Sequence, residues 1–282
     1  MPYEYIVTLS TIPSKLQYLP VTLDSVINQS IKPKKIILQI PEKYDFRLKN
    51  QTIDHDQLHS IERKYAQYGF EVHMCKKDHG PATKLVGLLE KIPAQNFGAN
   101  QKIVVIDDDL IYHPKMIETL NNALEKSSVP FNGAMDTYPL DNIIVGQACD
   151  GFILEPNSLK NYLDFFYKVE NSDDGNFILH HDDVVLSYYL NTVNSEFVEI
   201  APPEGGSYKP QNSTNIDALH NIQGKYSRDN LNKEIIKKLH NVFDNEEGKT
   251  QPRNIEGFGT MTQPVNIICI WLDFLRVCGF MR

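Results

Sequence analysis

Apolar and polar positions alternate in two distinct rhythms along the first 110 residues. Tyr5-Ile6-Val7-Thr8-Leu9 is a continuous apolar, β-rich run that ends at Ser10-Thr11-Ile12-Pro13. Leu16, Leu19, Leu23, Val26 and Ile27 then recur at helical spacing. Ile36 to Ile40 predicts a second buried strand closed by Pro41, and Phe70 to Met74 a third. Ala82 to Lys91 predicts a helix after the Gly80-Pro81 turn, and Ile103 to Ile106 a fourth strand. Strands separated by helices at this rhythm predict βαβ units, and so an α/β fold around a mostly parallel central sheet flanked by helices.

The second half has a weaker pattern. It predicts a strand over 142–149, a helix over 157–169 and another over Asp183 to Leu190. Residues 202–230 are rich in Pro, Gly, Ser and Asn and predict a long loop, which inside a compact domain is either functional or disordered. Residues 1–245 are expected to form one domain. The remaining 246–282 form a tail whose apolar stretch over 265–281, interrupted by Asp273 and Arg276, predicts a helix. That helix would pack on the domain, on a partner or second copy, or on a membrane surface. It is short for a span, and no transmembrane anchor is expected.

Composition narrows the function classes. A net charge of -8 over 282 residues argues against a nonspecific grip on nucleic acid, which basic stripes provide. Cys75, Cys149, Cys269 and Cys278 form no CxxC pair, so reduced thiols in a cytoplasmic protein are expected rather than a zinc ribbon or a disulfide framework. The N-terminus lacks a basic n-region and predicts a first strand, not a signal peptide.

Four polar motifs carry candidate chemistry, and the two in the first half follow predicted strands, beyond whose carboxyl ends ligands bind in such sheets. Asp107-Asp108-Asp109 follows the apolar run Ile103 to Ile106. Strand alternation would send Asp107 and Asp109 to one side and Asp108 to the other. Crowded carboxylates repel unless a cation neutralises them, and hard divalent ions favour oxygen. The alternative is a solvated turn capping a helix that starts at Pro114. Lys77-Asp78-His79-Gly80-Pro81-Ala82-Thr83-Lys84 offers helix-start amides and a lysine to an anion, or is an ordinary turn before an amphipathic helix. His180-His181-Asp182-Asp183 places two acids at a helix start, where they either cap the helix or hold a general base. His220, after the long loop, is either structural or a metal ligand.

Taken in order, Thr8-Leu9-Ser10-Thr11-Ile12-Pro13, Pro33-Lys34-Lys35-Ile36-Ile37-Leu38, Gly80-Pro81-Ala82-Thr83-Lys84 and Asp107-Asp108-Asp109 resemble the landmarks of GT-A glycosyltransferases. The kind resembled is found in bacteria and large DNA viruses. Asp182-Asp183-Val184 is similar to the Glu-Asp element of inverting members, and the resemblance runs from about residue 4 to residue 225. Lys15 stands where such proteins often carry arginine, and Asp182 where glutamate is commoner.

The resemblance implies transfer of a hexosyl or deoxyhexosyl group from a nucleotide diphosphate, a UDP-sugar favoured, to a hydroxyl of a glycan or other acceptor, with inversion. It implies a manganese or magnesium cofactor, with Asp109, Asp107 and His220 as ligands. Thr8, Ser10, Thr11, Asp78, Lys84, Asp107 and Asp108 would serve the donor, and Asp183 would be the base with Asp182 beside it. Two other readings compete. A sugar nucleotidyltransferase would open with a Gly-rich basic loop, where this chain has Ser-Thr-Ile-Pro. A catalytically inactive carbohydrate-binding module would have no chemical need for the acids.

Overall fold

The computed structural model describes residues 2–244 except 47, 49, 50, 128, 136, 142, 193–195, 215 and 217–227. His220 and the apolar stretch 265–281 therefore lie outside the described residues. A seven-stranded sheet organises the rest. Its strands are β1 (Glu4–Ser10), β2 (Lys35–Pro41), β3 (Phe70–Cys75), β4 (Gln101–Val105), β6 (Phe131–Ala134), β9 (Phe152–Leu154) and β10 (Glu196–Glu199), in the order β10-β6-β9-β4-β1-β2-β3. Every pairing is parallel except those of β9, which runs antiparallel between β4 and β6.

The four strands read from the first 110 residues are the four strands β1 to β4, and for β1, β2 and β4 the reason is burial on both faces. Along β1, β2 and β4 the side chains point alternately into two separate cores, so nearly every position is apolar. Ile6, Ile37, Ile103 and Val105 enter one core. There they meet α3 (Thr83–Lys91), α5 (Tyr162–Glu170), α7 (Asp182–Thr192) and α8 (Arg228–Asp244). Val7, Leu9, Ile36, Leu38 and Val104 enter the other, against α1 (Leu19–Ile27), α2 (His55–Tyr65) and α4 (Met116–Lys126). Each buried Leu or Ile contributes roughly 1.5–3 kcal/mol relative to exposure.

The second half departs from its sequence pattern in three places. The strand expected over 142–149 is only β8 (Ile143–Gly146), a hairpin partner of β7 (Thr137–Leu140), and the chain then turns through Ala148–Asp150. The helix expected over 157–169 starts at Tyr162, because Pro156–Leu159 forms a separate tight turn. The expected loop over 202–230 contains β11 (Tyr208–Pro210), antiparallel to β5 (Leu110–Tyr112), and its end forms the start of α8. Backbone pairing, not side-chain pattern, makes β11, so polar and Pro-containing residues form it. A short α6 (Gly175–Ile178) leads towards α7. Among the described residues, no helix is long and apolar enough to cross a membrane.

Candidate active site

The strand order reverses between β1 and β4, with β2 on the far side of β1 and β9 on the far side of β4. Ligands of such sheets sit beyond the carboxyl ends at this switch point. Ser10-Thr11 leaves β1 there and Asp107-Asp108-Asp109 leaves β4 there.

β4 ends at Val105, so strand alternation does not carry through the three acids. Asp108 turns inward, where it is nearly buried and accepts the Thr11 hydroxyl. Asp107 and Asp109 are paired to different lysines, although their charges stay close enough to repel. Asp107 accepts Lys84 Nζ at 2.8 Å, from the α3 face of the sheet. Asp109 accepts Lys15 Nζ at 2.7 Å, from the turn Pro13–Tyr18 that leads into α1 on the other face. The expected sharing of one side is corrected by this split, whose cause is two cations held on opposite layers.

The acid loop is fixed from behind. Thr22 Oγ1 donates to the carbonyls of Asp108 (2.7 Å) and Leu110 (2.8 Å). Gln211 Nε2 donates to Thr22 Oγ1 (2.9 Å) and to the Asp108 carbonyl (3.0 Å), and Thr214 Oγ1 to the Asp109 carbonyl (2.8 Å). The Asp107 N–H donates to the Tyr112 hydroxyl at 2.9 Å. The residues after β11 thus brace Asp108 and Asp109, a role that no pattern in the expected loop announced.

Lys84 joins two motifs more than 70 residues apart in sequence. Its ammonium lies 2.8 Å from Asp107 and 3.0 Å from Asp182, with the side chain 7% exposed. Asp182 and Asp183 open α7, and Asp183 Oδ1 accepts the Ala148 N–H at 3.3 Å. Lys84, Tyr162, Asp182, Asp183 and Leu186 line one small recess together with the apolar Val105 and Phe152.

Burial and mutual repulsion set the charges. Burial, with the carboxylates of Asp109 and Asp107, pushes Asp108 up to about 6 although Lys15 and Thr11 oppose it. Burial and then Asp182 push Asp183 up to about 8, against the pull of Lys84. Burial also raises Asp109 and Asp182, each partly offset by its lysine. Burial alone would weaken both lysine charges. The surrounding carboxylates outweigh it, so Lys15 stands above its ordinary value and Lys84 well above.

Thr8 is fully buried and its hydroxyl donates to the Lys84 carbonyl, which ties α3 to β1 and presents nothing to a ligand. Ser10 is half-buried at the strand end. Thr11 is buried, and its carbonyl accepts the Tyr44 hydroxyl at 2.9 Å. Asp78 clamps a loop: its two oxygens accept the N–H groups of Phe46 (2.8 Å) and Gly80 (2.9 Å). Gly80 holds φ at 60°, and a Cβ there would lie 2.6 Å from the Phe46 ring, so this turn needs glycine. Sequence reasoning missed Asp150, which is buried near the acids and accepts the Ser207 hydroxyl.

Among the described residues, no three His, Cys, Asp or Glu side chains are grouped as a ready metal shell. A dication bound with a diphosphate does not require one, since one or two carboxylates, phosphate oxygens and water suffice. The donor chemistry fits. Among the described residues Lys15 pairs with Asp109 and Lys84 with Asp107 and Asp182, while neighbouring Asp108 and Asp183 take no lysine as an ion-pair partner, so the carboxyl groups of the site outnumber its cations.

No protein-family model and no curated protein matches the chain by sequence. Solved structures do match. S. aureus TarS 1-349 in complex with UDP-GlcNAc is similar at 13% identity and a TM-score of 0.50, over 85% of this chain and 66% of that one. The chain shares its fold with that protein. The glycosyltransferase GlyE of Streptococcus pneumoniae TIGR4 is similar at 12% identity and a TM-score of 0.42, over 71% of this chain. This chain spans 46% of the GlyE chain. Mannosyltransferase PcManGT from Pyrobaculum calidifontis, in complex with GDP-Man and Mn2+, is similar at 11% identity and a TM-score of 0.43, over 72% of this chain and 56% of that one.

Proposed function

We propose that the chain transfers a sugar from a nucleotide diphosphate, with a UDP-sugar as the favoured donor, to an acceptor hydroxyl. The observation that carries this reading is Lys84, which holds a carboxylate of the triple-acid loop and a carboxylate of the α7 pair on one ammonium group. Bond transfer needs a place where leaving-group charge is neutralised and, close by, a base for the incoming hydroxyl. The two acid motifs supply those places from opposite sides of Lys84. That the fold is shared with a UDP-GlcNAc-bound protein is consistent with this reading and adds no residue to it.

Asp109 and Asp107 would hold the divalent ion, manganese favoured over magnesium if His220 joins them. When bound, that ion supplies Lewis-acid stabilisation of the departing diphosphate. Asp108 shapes the loop through Thr11, while Ser10 and Thr11 border the nucleoside side and Asp78 fixes the turn that carries Lys84. Asp183 is the general base. A base works best when its pKa lies near the operating pH, and a carboxyl raised to about 8 accepts a proton far more readily than an ordinary one. Asp182, neutralised by Lys84, orients the acceptor. With the base on the side of the sugar away from the diphosphate, the product has the inverted configuration. Incubation of the purified chain with a panel of sugar nucleotides and manganese tests the proposal, by release of nucleoside diphosphate. An equal rate in chelator would overturn the metal role, and no release from any donor would overturn the reaction.

A further inference from the structure

The two lysines of the site are held differently. Among the described residues Lys84 has two carboxylate partners, whereas Lys15 has one, Asp109 at 2.7 Å, with Asp108 and Asp107 acting on it through space. Lys15 is 8% exposed, so its charge is kept at the site and is not a solvated surface feature. Its backbone is fixed by the turn Pro13–Tyr18, with the Lys15 N–H donating to the Ile12 carbonyl at 2.9 Å. Its four-carbon stem leaves the ammonium free to swing about that fixed point.

We propose that Lys15 is a donor-binding residue that occupies the Asp109 carboxylate in the empty site and passes to the diphosphate when donor and divalent ion arrive. This inference rests on the donor reading of the site. An ion on Asp109 repels the Lys15 ammonium beside it, and Lys15 Nζ, which has no second carboxylate in hydrogen-bond contact among the described residues, is the cation that gives way. The anion that enters with the ion is the diphosphate, and lysine suits phosphate as a compact charge with three rotatable donors. Holding Lys15 on Asp109 also keeps the crowded acids compensated between turnovers. Without Lys15, Asp108 and Asp109 would stand buried with a larger excess of negative charge.

The test is a pair of affinities on the full chain, wild type against Lys15→Met and Lys15→Arg. Manganese binding without nucleotide is read from the electron paramagnetic resonance signal of the free aquo ion. UDP binding at saturating manganese is read by calorimetry. Lys15→Met removes the competitor, so manganese alone should bind several-fold tighter, while UDP should bind about tenfold weaker, the size of one charged hydrogen bond. Lys15→Arg keeps the charge and should restore UDP binding to within a few-fold, which separates this role from misfolding. Unchanged or weaker manganese binding by Lys15→Met, or unchanged UDP binding, would overturn the inference and leave the donor reading standing. If wild type binds neither manganese nor UDP, the donor reading fails and takes this inference with it.

Discussion

Lys15 and Lys84 mark two poles of one acid cluster. At the Lys84 pole three elements converge, since α3 supplies the lysine, the loop after β4 supplies Asp107, and the start of α7 supplies Asp182. At the Lys15 pole one lysine meets one carboxylate. The first arrangement is over-determined and the second is not. A doubly paired buried cation cannot leave without stranding two anions, so the Lys84 pole is architecture as much as chemistry. The singly paired cation can be exchanged, which makes the Lys15 pole the side where a ligand enters.

The largest effect is expected from breaking the Lys84 pole. Lys84→Met leaves Asp107 and Asp182 without their cation, and stranding one partner of a buried pair costs about 3–5 kcal/mol. The variant should melt well below wild type at pH 7 and show no transfer. A melting temperature within a degree of wild type would mean that the pole is a surface ion pair and not a keystone.

The pH dependence is next in size. Asp183 holds its proton up to about 8, while the unfolded chain releases it in the ordinary carboxylate range. The folded state therefore binds the extra proton between those limits, so this group's contribution to stability falls as pH rises through that window. Asp183→Asn removes that slope and should gain stability over wild type at pH 9, read by denaturant melts at several pH values. As a base, Asp183 must be ionised, so kcat/KM should rise about tenfold per pH unit below its pKa and level off above it. A flat profile from pH 6 to 9 would remove Asp183 from that role.

The smallest effect distinguishes support from contact. Thr8 was a candidate for donor binding from its place at the end of β1, yet it is buried and bonded to the Lys84 carbonyl. Thr8→Val should cost about 1 kcal/mol of stability, the worth of one internal hydrogen bond, and leave UDP affinity unchanged. A loss of UDP affinity without a loss of stability would restore it to the donor site.

The contrast also explains what the sequence could show. Strands β1, β2 and β4 are buried on both faces, so their residues are mostly apolar and legible at once, and the edge strand β3 shows as an alternation of apolar and polar residues. β11 is held by backbone pairing to β5, and nothing in Tyr208–Pro210 encodes that. In the site, the acids were legible because three adjacent aspartates after an apolar strand have few structural uses. Their partners were not. The bond from Lys15 to Asp109 and the bridge from Lys84 to Asp182 span 94 and 98 positions, distances that no local pattern reaches. The brace from Gln211 and Thr214 was hidden for the same reason, inside a segment whose composition predicts only a loop.

The central claim is that the acids joined through Lys84 form one transfer site with Asp183 as its base. Release of UDP from the best-accepted UDP-sugar, measured with manganese and acceptor for wild type and Asp183→Asn side by side, tests it most directly. The account predicts turnover by wild type, a rate roughly 100- to 10,000-fold lower for Asp183→Asn, and near-equal UDP affinity in the two proteins. Turnover by Asp183→Asn within a few-fold of wild type would contradict it.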